Sequence, residues 1–138
     1  MNFTVTKVVF FLIFISTAFA TVELIRPGLE ARPVEEDIKL EWSTGVEENL
    51  ISFIIERSTA ESPDSWREIE TIPPNGNYSN YSYIDKSAYK ADDLIFYYRL
   101  KIHVNENPQY IYSNEVGPVY PQLSGVKRTW GSIKAMFR

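Results

Sequence analysis

The sequence predicts an all-β chain built as one β-sandwich of about seven antiparallel strands. Three observations predict it. Ile38, Leu40 and Trp42 alternate with Lys39 and Glu41, and Phe53 and Ile55 alternate with Ile54 and Glu56, which is the period of two that a half-buried strand requires. Short apolar segments of this kind recur at roughly the 8–12-residue spacing of a sandwich. Turn residues separate them at Pro27-Gly28, Pro63-Asp64, Pro73-Pro74-Asn75-Gly76 and Asn105–Pro108, and connections this short join antiparallel strands rather than parallel ones.

In order, Val22–Ile25 is a first short strand ended by Pro27-Gly28, and Leu29–Glu36 reads as irregular, with Pro33 and three acids. Ile38–Trp42 is the second strand, and Ser43–Asn49 is a loop. Ile51–Ser58 follows, placing Phe53, Ile55 and Arg57 on one face and Ile54 and Glu56 on the other. Thr59–Ser65 reads as a turn and Trp66–Ile72 as a strand of weaker alternation, closed by two prolines that cannot donate ladder hydrogen bonds. Tyr81–Asp85 is the fifth strand. Leu94–Ile102 is the plainest of all, with Phe96, Tyr98, Leu100 and Ile102 assigned inward and Tyr97, Arg99, Lys101 and His103 outward. Tyr110–Val116 is the last.

The chain of 138 residues divides unevenly around this body. Residues 1–20 read as a signal peptide: Lys7 is the positive n-region, Val8–Ile15 is an unbroken apolar run, and Ala18-Phe19-Ala20 fits the cleavage pattern before Thr21. The apolar run falls short of the roughly 20 residues a spanning helix needs. Residues 21–119 form the sandwich domain, and 120–138 a linker with a basic tail. The layout implies an exported protein of the periplasm, cell surface or extracellular space. With no cysteine, its stability must come from a packed core, and thiol catalysis, iron–sulfur clusters and cysteine-ligated zinc are excluded.

Charge is distributed asymmetrically. Glu23–Glu115 holds all 18 acids and nine of the 14 basic residues, a net −9, whereas Lys127, Arg128, Lys134 and Arg138 follow with no acid. An acidic body lacks the basic face that phosphate recognition needs, so nucleic acid is not an expected partner.

At Leu40-Glu41-Trp42, Phe53–Ser58, Trp66 with Ile69, Asp85, Phe96–Leu100 and Tyr112-Ser113, in this order and spacing across 22–119, the chain resembles a fibronectin type III domain, a relative of the immunoglobulin fold. The resemblance is to the modules of exported bacterial proteins, in single copy. It implies a seven-stranded sandwich used for binding, spacing or scaffolding without catalysis. The sequence departs from the family where a tyrosine early in the sixth strand caps a corner through its hydroxyl: the matching residue here is Phe96. Either Tyr97 or Tyr98 takes that role by a register shift, or the corner is held by packing alone.

Chemistry-bearing residues are few. His103 is the one histidine and has no partner for general-base work in the sequence, so the chain reads as a non-enzyme without a cofactor. Glu35-Glu36-Asp37, Glu47-Glu48 and Asp92-Asp93 lie in expected loops without the spaced Asp/Asn/Gly pattern of a calcium loop, and read as solvated charges rather than a metal site. Tyr97, Arg99, Lys101, Tyr110 and Tyr112 form a candidate binding face, with Ile54 on the neighbouring strand; exposed tyrosines suit protein or polysaccharide partners, and are also ordinary cross-strand fillers. Tyr78 and Tyr81, in the Tyr/Ser/Asn run, offer a second patch. Asn77-Tyr-Ser and Asn80-Tyr-Ser match the glycosylation acceptor pattern, which has meaning only in a eukaryotic secretory pathway.

In the tail, Val126, Trp130, Ile133 and Phe137 fall on one stripe of a short helix among basic residues. With Lys134 and Arg138, Trp130, Ile133 and Phe137 are the candidate tail anchor. Three readings compete: docking on the acidic body, contact with a membrane surface, or a tag read by an export or anchoring machine, the last being favoured. The sequence thus points to an exported, non-catalytic binding or structural module of the cell envelope or extracellular space, with a tail for sorting or attachment. A carbohydrate-binding module using the sheet-face tyrosines is the alternative.

Overall fold

The computed structural model describes residues 22–24, 28–88 and 95–122. The expected signal peptide, the expected anchor Trp130, Ile133, Lys134, Phe137 and Arg138, and the Asp92-Asp93 pair lie outside the described residues. Among the described residues no helix is long and apolar enough to cross a membrane.

Eight strands form two antiparallel sheets: β1 (Glu30–Val34), β2 (Asp37–Ser43), β3 (Leu50–Thr59), β4 (Ser62–Ile72), β5 (Asn80–Asp85), β6 (Phe96–Val104), β7 (Tyr110–Tyr112) and β8 (Val116–Val119). One sheet has the order β1-β2-β5; the other runs β4-β3-β6-β7, with β8 also pairing β6. The chain therefore changes sheets between β2 and β3, between β4 and β5, and between β5 and β6. The result is an immunoglobulin-like β-sandwich.

Alternation decides which side chains fill it. From Phe96 to Val104, residues in β6 alternate buried and half-buried without a break, and Ile38, Leu40 and Trp42 do the same in β2. These stripes meet Phe53 and Ile55 of β3 and Tyr81 of β5 in the core. Trp42 stacks on Tyr81 with ring centroids 5.2 Å apart, and Phe53 stands edge-on to both, at 5.5 and 5.0 Å. Aromatic pairs in such geometry add about 0.5–1.5 kcal/mol each beyond the area they bury. Tyr81 is thus a core residue and does not belong to a surface patch; Tyr78 beside it is 74 % exposed.

Four boundaries differ from the sequence expectation. Leu29–Glu36 is not irregular: β1 lies within it and pairs with β2 from Glu30↔Glu41 to Val34↔Asp37. Pro33 had hidden this strand, and it is accommodated because β1 is an edge, where a missing N–H costs no ladder bond. Ahead of β1, Leu24 makes only an isolated bridge to Thr44. β4 starts at Ser62, inside the expected turn, because the hairpin closes at Thr59↔Ser62. The expected last strand is two strands, interrupted at residues 113–115.

The interruption has a visible cause. Asn114 turns its amide to the residue just ahead of β1: Leu29 N donates to Asn114 Oδ1 at 3.0 Å, and Asn114 Nδ2 donates to the Leu29 carbonyl at 3.0 Å. The side chain replaces a rung of β-ladder and joins the two sheets. Gly28 (φ +94°) lies against that amide, where a Cβ would collide with Asn114 Oδ1. Gly117 (φ +151°) performs the same service for β8, since a Cβ there would sit 2.5 Å from Tyr97 Cδ1 and 2.8 Å from the Phe96 carbonyl oxygen.

The sixth strand keeps the expected register at Phe96. Phe96 is inward as expected, and so is Tyr98 two residues on; the Tyr98 hydroxyl donates to Asp85 Oδ2 at 2.9 Å. Arg57 Nη1 reaches the same oxygen at 2.5 Å, while Ser87 N and Oγ donate to Asp85 Oδ1 at 3.0 and 2.7 Å. Burial, the largest influence, pushes the Asp85 carboxyl up; the Ser87 hydrogen bonds, the Arg57 charge and the Tyr98 hydroxyl outweigh it and hold the group below the usual range. The same site raises Tyr98, first through burial and then through the Asp85 charge.

Candidate functional site

The outer face of the five-stranded sheet gathers a cluster of aromatic and cationic side chains. Cross-strand pairing sets the arrangement: Glu56 lies opposite Arg99 on β6 and opposite Glu68 on β4, and Lys101 lies opposite Tyr112 on β7. All point away from the core because they have the opposite parity to Ile55, Leu100 and Ile102.

Arg99 is the centre. Its guanidinium carbon sits 4.1 Å from the Trp66 ring centroid on one side and 4.4 Å from the Tyr112 ring on the other. Its Nε donates to Glu56 Oε2 at 2.7 Å, and its Nη1 lies 3.8 Å from Glu115 Oε1. A planar cation between two rings gains on both faces while its edge remains free for a carboxylate, which a lysine cannot match. Glu56 is only 5 % exposed, so Arg99 supplies the hydrogen bond that its buried carboxylate needs.

A second row repeats the pattern. Lys101 Nζ lies 4.6 Å over the Tyr110 ring and donates to Glu68 Oε1 at 2.9 Å; the Glu68 hydrogen bond raises the lysine above its ordinary pKa. His103 stacks on Tyr110, centroids 4.8 Å apart, with Gln109 Nε2 at 2.9 Å from its Nε2. Tyr110 and Tyr112 remain 37 % and 53 % exposed.

Of the five residues expected on this face, Arg99, Lys101, Tyr110 and Tyr112 come together. Tyr97 shares the face but packs under Gly117 at the β8 end. Ile54 is on this face too, yet covered. The sequence reading missed Trp66 and Glu56 as members. Parity in β3 had already placed Glu56 outward, which was the available signal. Trp66 gave none, because register shifts between Ile55/Glu56 and between Arg57/Thr59 break the alternation of β4 against β3.

A separate polar cluster stands where the loops between β2 and β3 and between β4 and β5 meet. Glu47 is buried there, correcting the expectation that Glu47-Glu48 is simply solvated. Its Oε1 accepts from Thr44 Oγ1 at 2.5 Å and from Tyr81 Oη at 2.6 Å, and its Oε2 accepts from Gly76 N at 2.8 Å. Glu47 N in turn donates to Asn77 Oδ1 at 2.7 Å. Burial and the Glu47 hydrogen bond push the Tyr81 hydroxyl up to about 12. The carboxylate accepts from both loops, so the cluster is a latch between them. Among the described residues no group of three or more His, Cys, Asp or Glu side chains is placed to hold a metal ion.

Compared with family models, with curated proteins and with solved structures, the chain matches none.

Proposed function

We propose that this chain is an exported, non-catalytic binding module of fibronectin type III kind, acting at the cell envelope or outside the cell, with its C-terminal tail used for sorting or attachment. The reading rests on the sandwich order β1-β2-β5 against β4-β3-β6-β7 together with the sequence resemblance, the signal-like first 20 residues and the basic tail. The single observation that carries the binding role is the outer-sheet ladder of Trp66, Arg99 and Tyr112 beside Lys101 and Tyr110. Interlocked cations and rings give a rigid, half-exposed surface that loses little conformational entropy on contact, and tyrosine and arginine are the residues that dominate protein interfaces.

Binding of the purified domain to isolated envelopes of the source cell tests this. Tyr110→Ala with Tyr112→Ala is expected to weaken retention at least about tenfold, equivalent to about 1.4 kcal/mol, with the fold intact by circular dichroism. Undiminished binding removes the face from consideration. In parallel, mass spectrometry of the exported chain is expected to find Thr21 as its first residue, and deletion of 126–138 is expected to release it from the envelope.

Polysaccharide is a second reading, favoured by Tyr110 and Tyr112 lying on one side of β7, about 7 Å apart along the strand, each with a cation over one ring face. Retention on an insoluble polysaccharide that is lost in the same double variant would select it over a protein partner.

A further inference from the structure

On the other side of β4, where the two sheets diverge, an open groove of about 350 Å³ is lined by Arg57, Arg67, Glu68, Ile69, Tyr83 and Ser87. Its position follows from the topology. β4 is the free edge of one sheet and β5 the free edge of the other, so the inward parity of β4 faces solvent instead of a covering strand.

Arg57 and Arg67 are direct cross-strand partners. Like charges opposite one another in an antiparallel pair are destabilising, and only one of the two is compensated. Arg57 Nη1 is held by Asp85 Oδ2 and Ser87 Oγ, leaving the rest of its guanidinium beside the groove. Arg67 has no ion pair among the described residues, and the Tyr83 hydroxyl has no hydrogen-bond partner there either. Glu68 bonds Lys101 and Glu70 Oε1 accepts from Thr71 N; neither carboxylate forms an ion pair with Arg57 or Arg67 among the described residues.

We propose that this groove is an anion site that takes a single carboxylate, forked by Arg67 with Arg57 behind it and hydrogen-bonded by Tyr83 Oη. The guanidinium fork matches a planar carboxylate. The nearby Glu70 carboxylate, in no ion pair among the described residues, repels a phosphate dianion more than a monoanion. The site is on a different surface from the outer-sheet ladder and stands or falls independently of it.

NMR titration of the full chain tests this, reading the Arg Nε–H and Tyr ring signals. The probes are N-acetylglutamate, a short glutamate-containing peptide and inorganic phosphate. Saturable shifts centred on Arg67, Arg57 and Tyr83 with a Kd on the order of 1 mM are expected for the carboxylates, weakened at least about tenfold in Arg67→Ala and unchanged in Arg32→Ala, an exposed arginine of the other sheet. Tighter binding of the peptide than of the free acid assigns the source to an acidic protein segment; equal affinity assigns it to a free acid, and the carboxylate site holds in both cases. Absence of saturable shifts, shifts that persist in Arg67→Ala, or preference for phosphate would overturn the proposal.

Discussion

Trp66 and Arg99 face one another across the outer sheet, the guanidinium carbon 4.1 Å from the indole centroid, although they belong to strands that do not pair directly. β3 lies between them, and its contribution at that point is Glu56, bonded to Arg99 Nε at 2.7 Å. One cation therefore ties β4, β3, β6 and, through Tyr112, β7.

Arg99→Ala is expected to destabilise the domain by about 3 kcal/mol, because it leaves the Glu56 carboxylate buried without its counter-charge. Arg99→Lys should recover part of that loss, remaining about 1 kcal/mol below the natural chain for want of a planar group to stack. Urea unfolding midpoints measure both. A loss in Arg99→Ala no larger than in Arg99→Lys would mean that Glu56 does not depend on the pair.

Glu47→Ala removes the acceptor of three donors: Thr44 Oγ1, Tyr81 Oη and Gly76 N. A cost of about 2–4 kcal/mol is expected from stranding them. Hydrogen exchange at Gly76 N, which Glu47 Oε2 accepts, should accelerate more than exchange in β6. Uniform acceleration would instead indicate global loosening.

Tyr98→Phe deletes one hydroxyl and leaves the ring packed. Removing its bond to Asp85 Oδ2 is expected to cost about 1–2 kcal/mol, whereas Tyr97→Phe should be near neutral. Equal effects at the two positions would mean that the Tyr98–Asp85 bond adds nothing to stability.

Alkaline stability has a defined sign. Tyr81 ionises at about 12 in the folded chain against about 10 when unfolded, so its contribution is fully present below pH 10 and is lost as pH rises through 12. The difference corresponds to roughly 2–3 kcal/mol, and Tyr98, also raised, acts in the same direction. Thermal unfolding followed from pH 8 to 12 should show the Tm constant to about 10 and falling beyond, with a shallower fall in Tyr81→Phe. At the acid end, the lowered Asp85 contributes stability above its unfolded pKa near 4 that is lost as pH drops through its folded value.

By itself the sequence determined the all-β class, the inward stripes of β2, β3 and β6, and four members of the outer face, because strand parity is a local property written in alternation. Phe96, Tyr98, Leu100 and Ile102 needed no partner to be read as inward. Whatever depended on meeting distant residues was decided only by the tertiary structure. Pro33 concealed β1 until an edge position was known, and the β4 register shifts concealed Trp66. Glu47 looked like a loop charge until Thr44, Tyr81 and Gly76 converged on it. Tyr98 found its polar partner because Asp85, thirteen residues earlier, lies within reach of its hydroxyl. Spacing along the chain carries no information about such contacts; they arise where loops and edges from different sheets are brought to one place, and burial then makes each polar group find its partner.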